Sequence, residues 1–203
     1  MAKARTAKKG RRSKTTSRRR SRSASNGSNR DDAIGLLKSD HREVEQLFKQ
    51  FEDSRGEDRK QEIAAQICEA LKAHTMIEEE IFYPAFLEAT DETDIHHEAE
   101  VEHQGAKHLI EEIESAGPSD DHFDARVTVL QEMIRHHVNE EEQRGGMFSK
   151  AQSSEMDLTE LGRQMRERKL EIMGESAEMG GSRRPPQQGR SRRGGRELRA
   201  RSS

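Results

Sequence analysis

Two pairs of residues set four apart carry the first chemical signal: His74 with Glu78, and His137 with Glu141. A separation of four places both members on one helix face, one turn apart. His41 and His103 hold the equivalent place in two further helical runs. Imidazole with carboxylate suits iron, manganese or zinc. Two glutamates on opposing helices can bridge two ions a few Å apart. Any one of these histidines alone is better read as a surface or satisfied core residue. As a set they are not: an unpaired buried carboxylate is costly, and two in one core repel. Bound cations remove that penalty. Six side chains with two of them bridging give about eight metal–ligand bonds, where two six-coordinate ions take about twelve. Water and exogenous ligands must complete the shells, so O2, NO or peroxide has places to bind.

The elements that must position these groups show in the apolar period. Ile34, Leu37, His41, Val44, Phe48 and Phe51 follow steps of three and four, the seam of a helical bundle. Ile63, Ile67, Leu71, His74, Glu78 and Ile81 make a second seam. Ile95, Ala99, His103, Ala106, Ile110 and Ile113 make a third, and Phe123, Val127, Leu130, Ile134, His137 and Glu141 a fourth. Breakers separate them: Arg55-Gly56, Pro84 near the end of the second run, Asp91 to Asp94 as capping residues for the third, Ala116 to Asp120, and Gly145-Gly146. The fold class that follows is all-α, an up-down four-helix bundle over 31–150 with short links. Asp157 and Glu160 read as a capping pair ahead of Leu158, Leu161, Met165 and Ile172. They predict a short accessory helix over 151–175, packed outside the bundle, with a partner-binding helix as the alternative.

Charge divides the chain of 203 residues into three. Residues 1–30 carry twelve Lys and Arg and no acid; 182–203 carry eight Arg and one acid, Glu197. That leaves 31–181 with 16 of the 36 bases against 38 of the 39 acids, a net charge of −22. The two ends, 1–30 and 176–203, are low in complexity and read as disordered basic tails. Runs such as Arg18-Arg19-Arg20 can neutralise phosphates, so non-specific DNA or RNA contact competes with folding back onto the acidic middle. Neither tail has an aromatic residue to stack on bases. The lone Cys68 excludes an internal disulfide, no run reaches the ~20 apolar residues of a membrane helix, and the basic start lacks an apolar signal region. A cytoplasmic protein is the simplest expectation.

Ser39-Asp40-His41, His74 to Glu78 leading into Phe82-Tyr83-Pro84, Glu102-His103, and His136-His137 to Glu141 followed by Met147-Phe148 together resemble the haemerythrin-like HHE cation-binding domain. The resemblance covers about 31–150. It implies a four-helix bundle with a non-haem di-iron centre, ligated by His41, His74, Glu78, His103, His137 and Glu141 with the glutamates bridging. Oxygen-carrying haemerythrins have a further histidine one turn after the first on the third helix; here that position is Lys107, with His108 beside it. The departure points away from reversible O2 carriage and toward a more open site.

Three functions remain in competition. The first is a di-iron protein that binds or senses O2, NO, peroxide or iron. The second is a peroxidase- or ferroxidase-type oxidoreductase, and the third a nucleic-acid-associated protective protein using its tails. Around the six residues, His96, His97, His136, Glu79, Glu80, Glu140 and Glu142 read as solvated or supporting groups, His122 as exposed, and Cys68 as a small core residue. Glu79, Glu142 and Glu102 lie near enough to stand in as ligands, and Tyr83 to hydrogen-bond near the site.

Overall fold

The computed structural model describes residues 31–181, so the expected tail 1–30 and, of the expected tail 176–203, residues 182–203 lie outside the described residues, while 176–181 are helical. The elements are α1 (Ala33–Asp53), α2 (Glu57–Ile77), a π turn (Glu78–Phe82), α3 (Tyr83–Thr90), α4 (Thr93–Ser115), α5 (Phe123–Glu142), α6 (Met147–Ser153) and α7 (Leu158–Gly181). No strand occurs among the described residues, and none of their helices is long and apolar enough to cross a membrane. The fold is an all-α helical bundle. Helices α1, α2, α4 and α5 form a ring in which each packs on the next, α5 closing back on α1.

Local chemistry sets the helix ends. The Asp32 carboxylate accepts the Gly35 N–H at 2.7 Å and caps α1. Gly56, at φ 103°, turns the chain into α2 in a conformation other residues rarely adopt. The Asp91–Asp94 stretch was expected to cap α4 with a side chain. Instead Asp91 takes a left-handed φ of 56° to end α3, and the side chain of the N-cap, Glu92, accepts no helix N–H but pairs with Lys150. Asp157 accepts the Glu160 N–H at 3.0 Å and starts α7 as its spacing predicts.

Pro84 does not stop the second run. Proline has no N–H to give and its ring presses on the carbonyl four residues back. The chain avoids both problems by widening one turn, with the Tyr83 N–H donating to the Glu78 carbonyl five residues back. The extra residue rotates the seam. Ile81, expected in the core, is half-buried, while Phe82, Tyr83 and Phe86 are fully enclosed.

The fifth helix is not short. α7 runs 24 residues to Gly181, past the expected limit of 175, and carries through Gly162 and Gly174 without a break. It lies along α1, α2 and the π turn, burying Met165 and Ile172. The approach is close at Gly162, where a Cβ would stand 2.6 Å from the Ala33 nitrogen. A further short helix, α6, was not foreseen and crosses residue 150.

Two apolar clusters fill the bundle. One joins Val44, Phe48, Ile67, Leu71, Ile110 and Leu130 at one end. The other joins Leu37, Ile77, Phe82, Phe86, Phe148 and Met165 at the other. Each large side chain so enclosed contributes roughly 1.5–3 kcal/mol. The four seam histidines lie at the level between the clusters, so polar groups there sit between two dry layers.

Candidate metal centre

The structure brings the six predicted residues together. His41, His74, His103, His137, Glu78 and Glu141 are all buried, Glu78 completely. Donor atoms of His41, His74, Glu78 and Glu141 lie within 4.8 Å of one another, as do those of Glu78, His103 and His137. The two groups share Glu78. Its Oε2 is 3.2 Å from His74 Nε2 and 3.3 Å from His103 Nε2. Glu141 Oε2 makes the matching reach to His41 Nε2 at 3.3 Å and His137 Nε2 at 3.7 Å. Within each group two imidazoles face one another, His41 and His74 at 3.2 Å and His103 and His137 at 3.3 Å between Nε2 atoms.

The outer nitrogens are braced in a regular way. His41 Nδ1 donates to Glu142 at 2.8 Å, His103 Nδ1 to Glu79 at 2.9 Å, and His137 Nδ1 to Glu102 at 2.8 Å. His74 Nδ1 faces Asp40 at a looser 3.6 Å. Each helix therefore lends a carboxylate to the histidine of the next helix around the ring: α5 to α1, α1 to α2, the π turn after α2 to α4, and α4 to α5. Such partners fix the ring orientation and leave Nε2 free to ligate. Each brace is next in sequence to a site residue: Asp40 to His41, Glu79 to Glu78, Glu102 to His103, Glu142 to Glu141. The sequence reads Glu79 and Glu142 as solvated or supporting groups and Glu102 as a stand-in ligand, and gives Asp40 no role. The signal was there, because a neighbour in sequence lies about 100° around the helix, on the flank that meets the adjacent helix.

Three braces are held in turn by lysines. Lys169 lies 2.7 Å from Asp40, Lys38 3.4 Å from Glu142, and Lys107 2.5 Å from Glu79. Lys107 thus supports the His103 brace. His108 points outward to Glu112 and takes no part in the site. The Tyr83 hydroxyl and His103 Nε2 share a hydrogen bond of 3.1 Å, and the Phe148 ring stacks on His41 at 5.7 Å.

Without cations the site must hold protons. Burial opposes charge on His41, but Glu141 and Glu142 outweigh it and raise its pKa to about 9. His103 also rises to about 9, burial again opposing and Glu78 and Glu79 prevailing. Burial pushes the Glu78 carboxyl up, yet His74, His103 and His137 together draw it down to about 2. Burial and the nearby carboxylates hold the Tyr83 phenol well above its ordinary value.

The donor set fits metal cations. Both oxygens of Glu78 and of Glu141 are buried with no hydrogen bond, an arrangement that a coordinated ion satisfies and little else does. The remaining histidines lie outside the two groups: His96, largely enclosed, packs edge-on against Tyr83, His97 is exposed, His136 sits by Glu102 and Glu140, and His122 beside Asp120. Cys68 is a buried free thiol far up in the apolar end.

Comparison with known proteins agrees with this geometry. Residues 32–145 match the family model of the Hemerythrin HHE cation binding domain. A DNA nickase from Nostoc sp. is 34% identical over 107 residues, covering 53% of this chain, while the match spans only 30% of that relative's length. The crystal structure of a hemerythrin HHE cation binding domain-containing protein from Mycobacterium kansasii superposes with a TM-score of 0.64, covering 75% of this chain and 93% of that one at 18% identity, a likeness of fold. With more than half of its length matched by the family model, this chain belongs to the hemerythrin HHE cation-binding domain family.

Proposed function

We propose that the bundle binds a pair of iron ions through His41, His74, Glu78, His103, His137 and Glu141, and that the protein binds or senses O2, NO, peroxide or iron at that centre. The observation that carries this reading is the sharing of Glu78 between two buried groups of donor atoms, each compact enough for one ion. Iron there would supply redox chemistry and affinity for small oxygen and nitrogen ligands. The chain's own part is to orient four imidazoles with braced Nδ1 atoms and to keep the centre dry between two apolar clusters. The buried free thiol of Cys68 fits the cytoplasmic setting we infer. Anaerobic iron reconstitution followed by elemental analysis and near-ultraviolet spectroscopy tests the proposal. Two irons per chain and a ligand-to-metal band are expected; less than one iron, or zinc or manganese retained in preference, overturns it.

A second reading, nucleic-acid contact through the basic segments, draws support from the twelve Lys and Arg within 1–30 and from the relative named a DNA nickase. A salt-dependent DNA titration examines it. DNA binding that survives deletion of 1–30 and 182–203 contradicts it.

A further inference from the structure

The six inner residues are no more than 7% exposed, so an ion has to reach them through the wall of the bundle. Two of the clefts in the described surface open widely and run inward to these residues. A groove of about 410 Å3 between α1 and α5 ends on His41, and its lining carries Arg42 and Arg135 alongside Glu45 and Glu142, so that its charges cancel. A cleft of about 130 Å3 between α4 and α5 has Glu98, Glu102 and Glu140 on its walls and reaches His137 and Glu141; no Lys or Arg lines it. A cleft of one sign with low-dielectric walls focuses the field and concentrates the opposite charge. Cations are drawn to the second opening.

The geometry points to a cation-loading port between α4 and α5, in which Glu102, His136 and Glu140 form an outer site for a divalent metal ion at the mouth of the cleft. His136 Nε2 is 3.2 Å from Glu140 Oε1 and 3.5 Å from Glu102 Oε1, and donor atoms of the three lie within 4.8 Å of one another. One imidazole with two carboxylates suits first-row divalent ions. His136 is 64% exposed, where a hydrated ion can meet it. Glu102 links the outer site to the inner one: Oε1 faces His136 while Oε2 accepts from His137 Nδ1 at 2.8 Å. Independently of this cluster, the cleft leads to Glu141, 2% exposed, whose two oxygens have no hydrogen bond and await a cation. Gly146 closes on the rim of the cleft, since a Cβ there would stand 2.1 Å from the Glu140 carbonyl oxygen. An ion captured outside thus has carboxylates along its whole way in, each replacing part of its lost hydration. This inference rests on the proposal that the inner six are ligands.

Stopped-flow loading of the metal-free full-length chain with Co2+ tests the port, with final cobalt content measured on the same samples. The double variant His136→Ala/Glu140→Gln is expected to load about tenfold more slowly and to reach the wild-type content. Glu98→Lys, at an exposed position that leaves the core untouched, is expected to load more slowly too, with the difference closing as salt is raised. Arg42→Ala, in the other groove, keeps the wild-type rate. Wild-type rates in both the double variant and Glu98→Lys, with two ions bound, overturn the port alone. A larger rate change in Arg42→Ala than in those variants overturns it as well. Fewer than two ions in the wild type overturns the dinuclear reading, and the port with it.

Discussion

Lys169 Nζ, from the fifth long helix, lies 2.7 Å from Oδ1 of the buried Asp40, whose other oxygen faces His74 Nδ1. Helix α7 lies wholly beyond the 32–145 matched by the family model, yet it reaches within one side chain of a proposed metal ligand. At 3.6 Å the Asp40–His74 contact is longer than a hydrogen bond, whereas the other three braces measure 2.8–2.9 Å. His74 is therefore the least firmly held of the four imidazoles, and Lys169 fixes its only brace.

Lys169→Met removes the cation from a carboxylate that cannot reach water. Because Lys169 is itself partly exposed, the expected loss of stability is modest, about 1–3 kcal/mol. Metal release to a chelator is expected to quicken about tenfold, the usual scale for losing a group that orients a ligand. Lys169→Arg should recover much of both. Release at the wild-type rate from Lys169→Met, under conditions where the variant is folded, would show that the lysine merely attaches α7.

Gly162→Ala separates attachment from charge. The added Cβ would meet the Ala33 nitrogen and the Asp32 carbonyl carbon at 2.6 Å, both backbone atoms that cannot turn aside. Helix α7 must lift from the start of α1, at a cost of about 1–3 kcal/mol in denaturant unfolding. Lys169 moves with the helix, so metal release should quicken here as well. A variant as stable as the wild type would mean that α7 is not seated on α1 in solution.

The bundle and the convergence of its four seams were legible because apolar steps of three and four are hard to produce by chance over four runs. What escaped had contrary local signals. Pro84 reads as a stop, whereas the chain widens one turn ahead of it and encloses Phe82 and Phe86 fully. Glu79 and Glu142 were open to a supporting role, but the braces of Asp40 and Glu102 escaped because both are charged residues beside a seam, which in an ordinary bundle face water. Lys107 reads as the loss of a ligand; in three dimensions it is the partner of Glu79. Helix α6 is too short to show a period, and its role depends on Phe148 lying against His41.

The metal-free protein should lose stability as the solution turns alkaline. His41 and His103 stand near 9 in the fold against an ordinary 6.5, so the stability they contribute is complete below 6.5 and gone once pH has risen through about 9. Between those limits each withdraws roughly 1 kcal/mol per pH unit. Glu78, drawn from 4.5 to about 2, acts at the other end: its contribution is present above 4.5 and lost as pH falls through about 2. Melting temperatures of the stripped protein should thus be highest between about 4.5 and 6.5. The loaded protein should show the opposite slope above 6.5, because ligation needs neutral imidazoles and becomes easier as protons leave. A stripped protein whose melting temperature holds steady from pH 6 to 9 would contradict the charge arrangement described here.

Glu78 and His103 should differ in what their loss does to metal content. His103 belongs to one group of donor atoms and Glu78 to both. His103→Ala leaves His41, His74, Glu78 and Glu141 in place, so about one ion per chain should remain, with the other group reduced to His137 and shared carboxylates. Glu78→Gln keeps the shape of the side chain but removes the charge that two ions would share, deep in a site where nothing else can replace it. Its metal content should fall below that of His103→Ala, despite the milder change in volume. The metal-free forms should rank differently. Glu78→Gln strips counter-charge from His103 and His137, so their protons become costly, while His103→Ala removes one of those charges and spares the other. Elemental analysis of both variants after identical reconstitution decides the matter. Equal metal content in the two would mean that Glu78 serves a single ion and that the centre is not bridged through it.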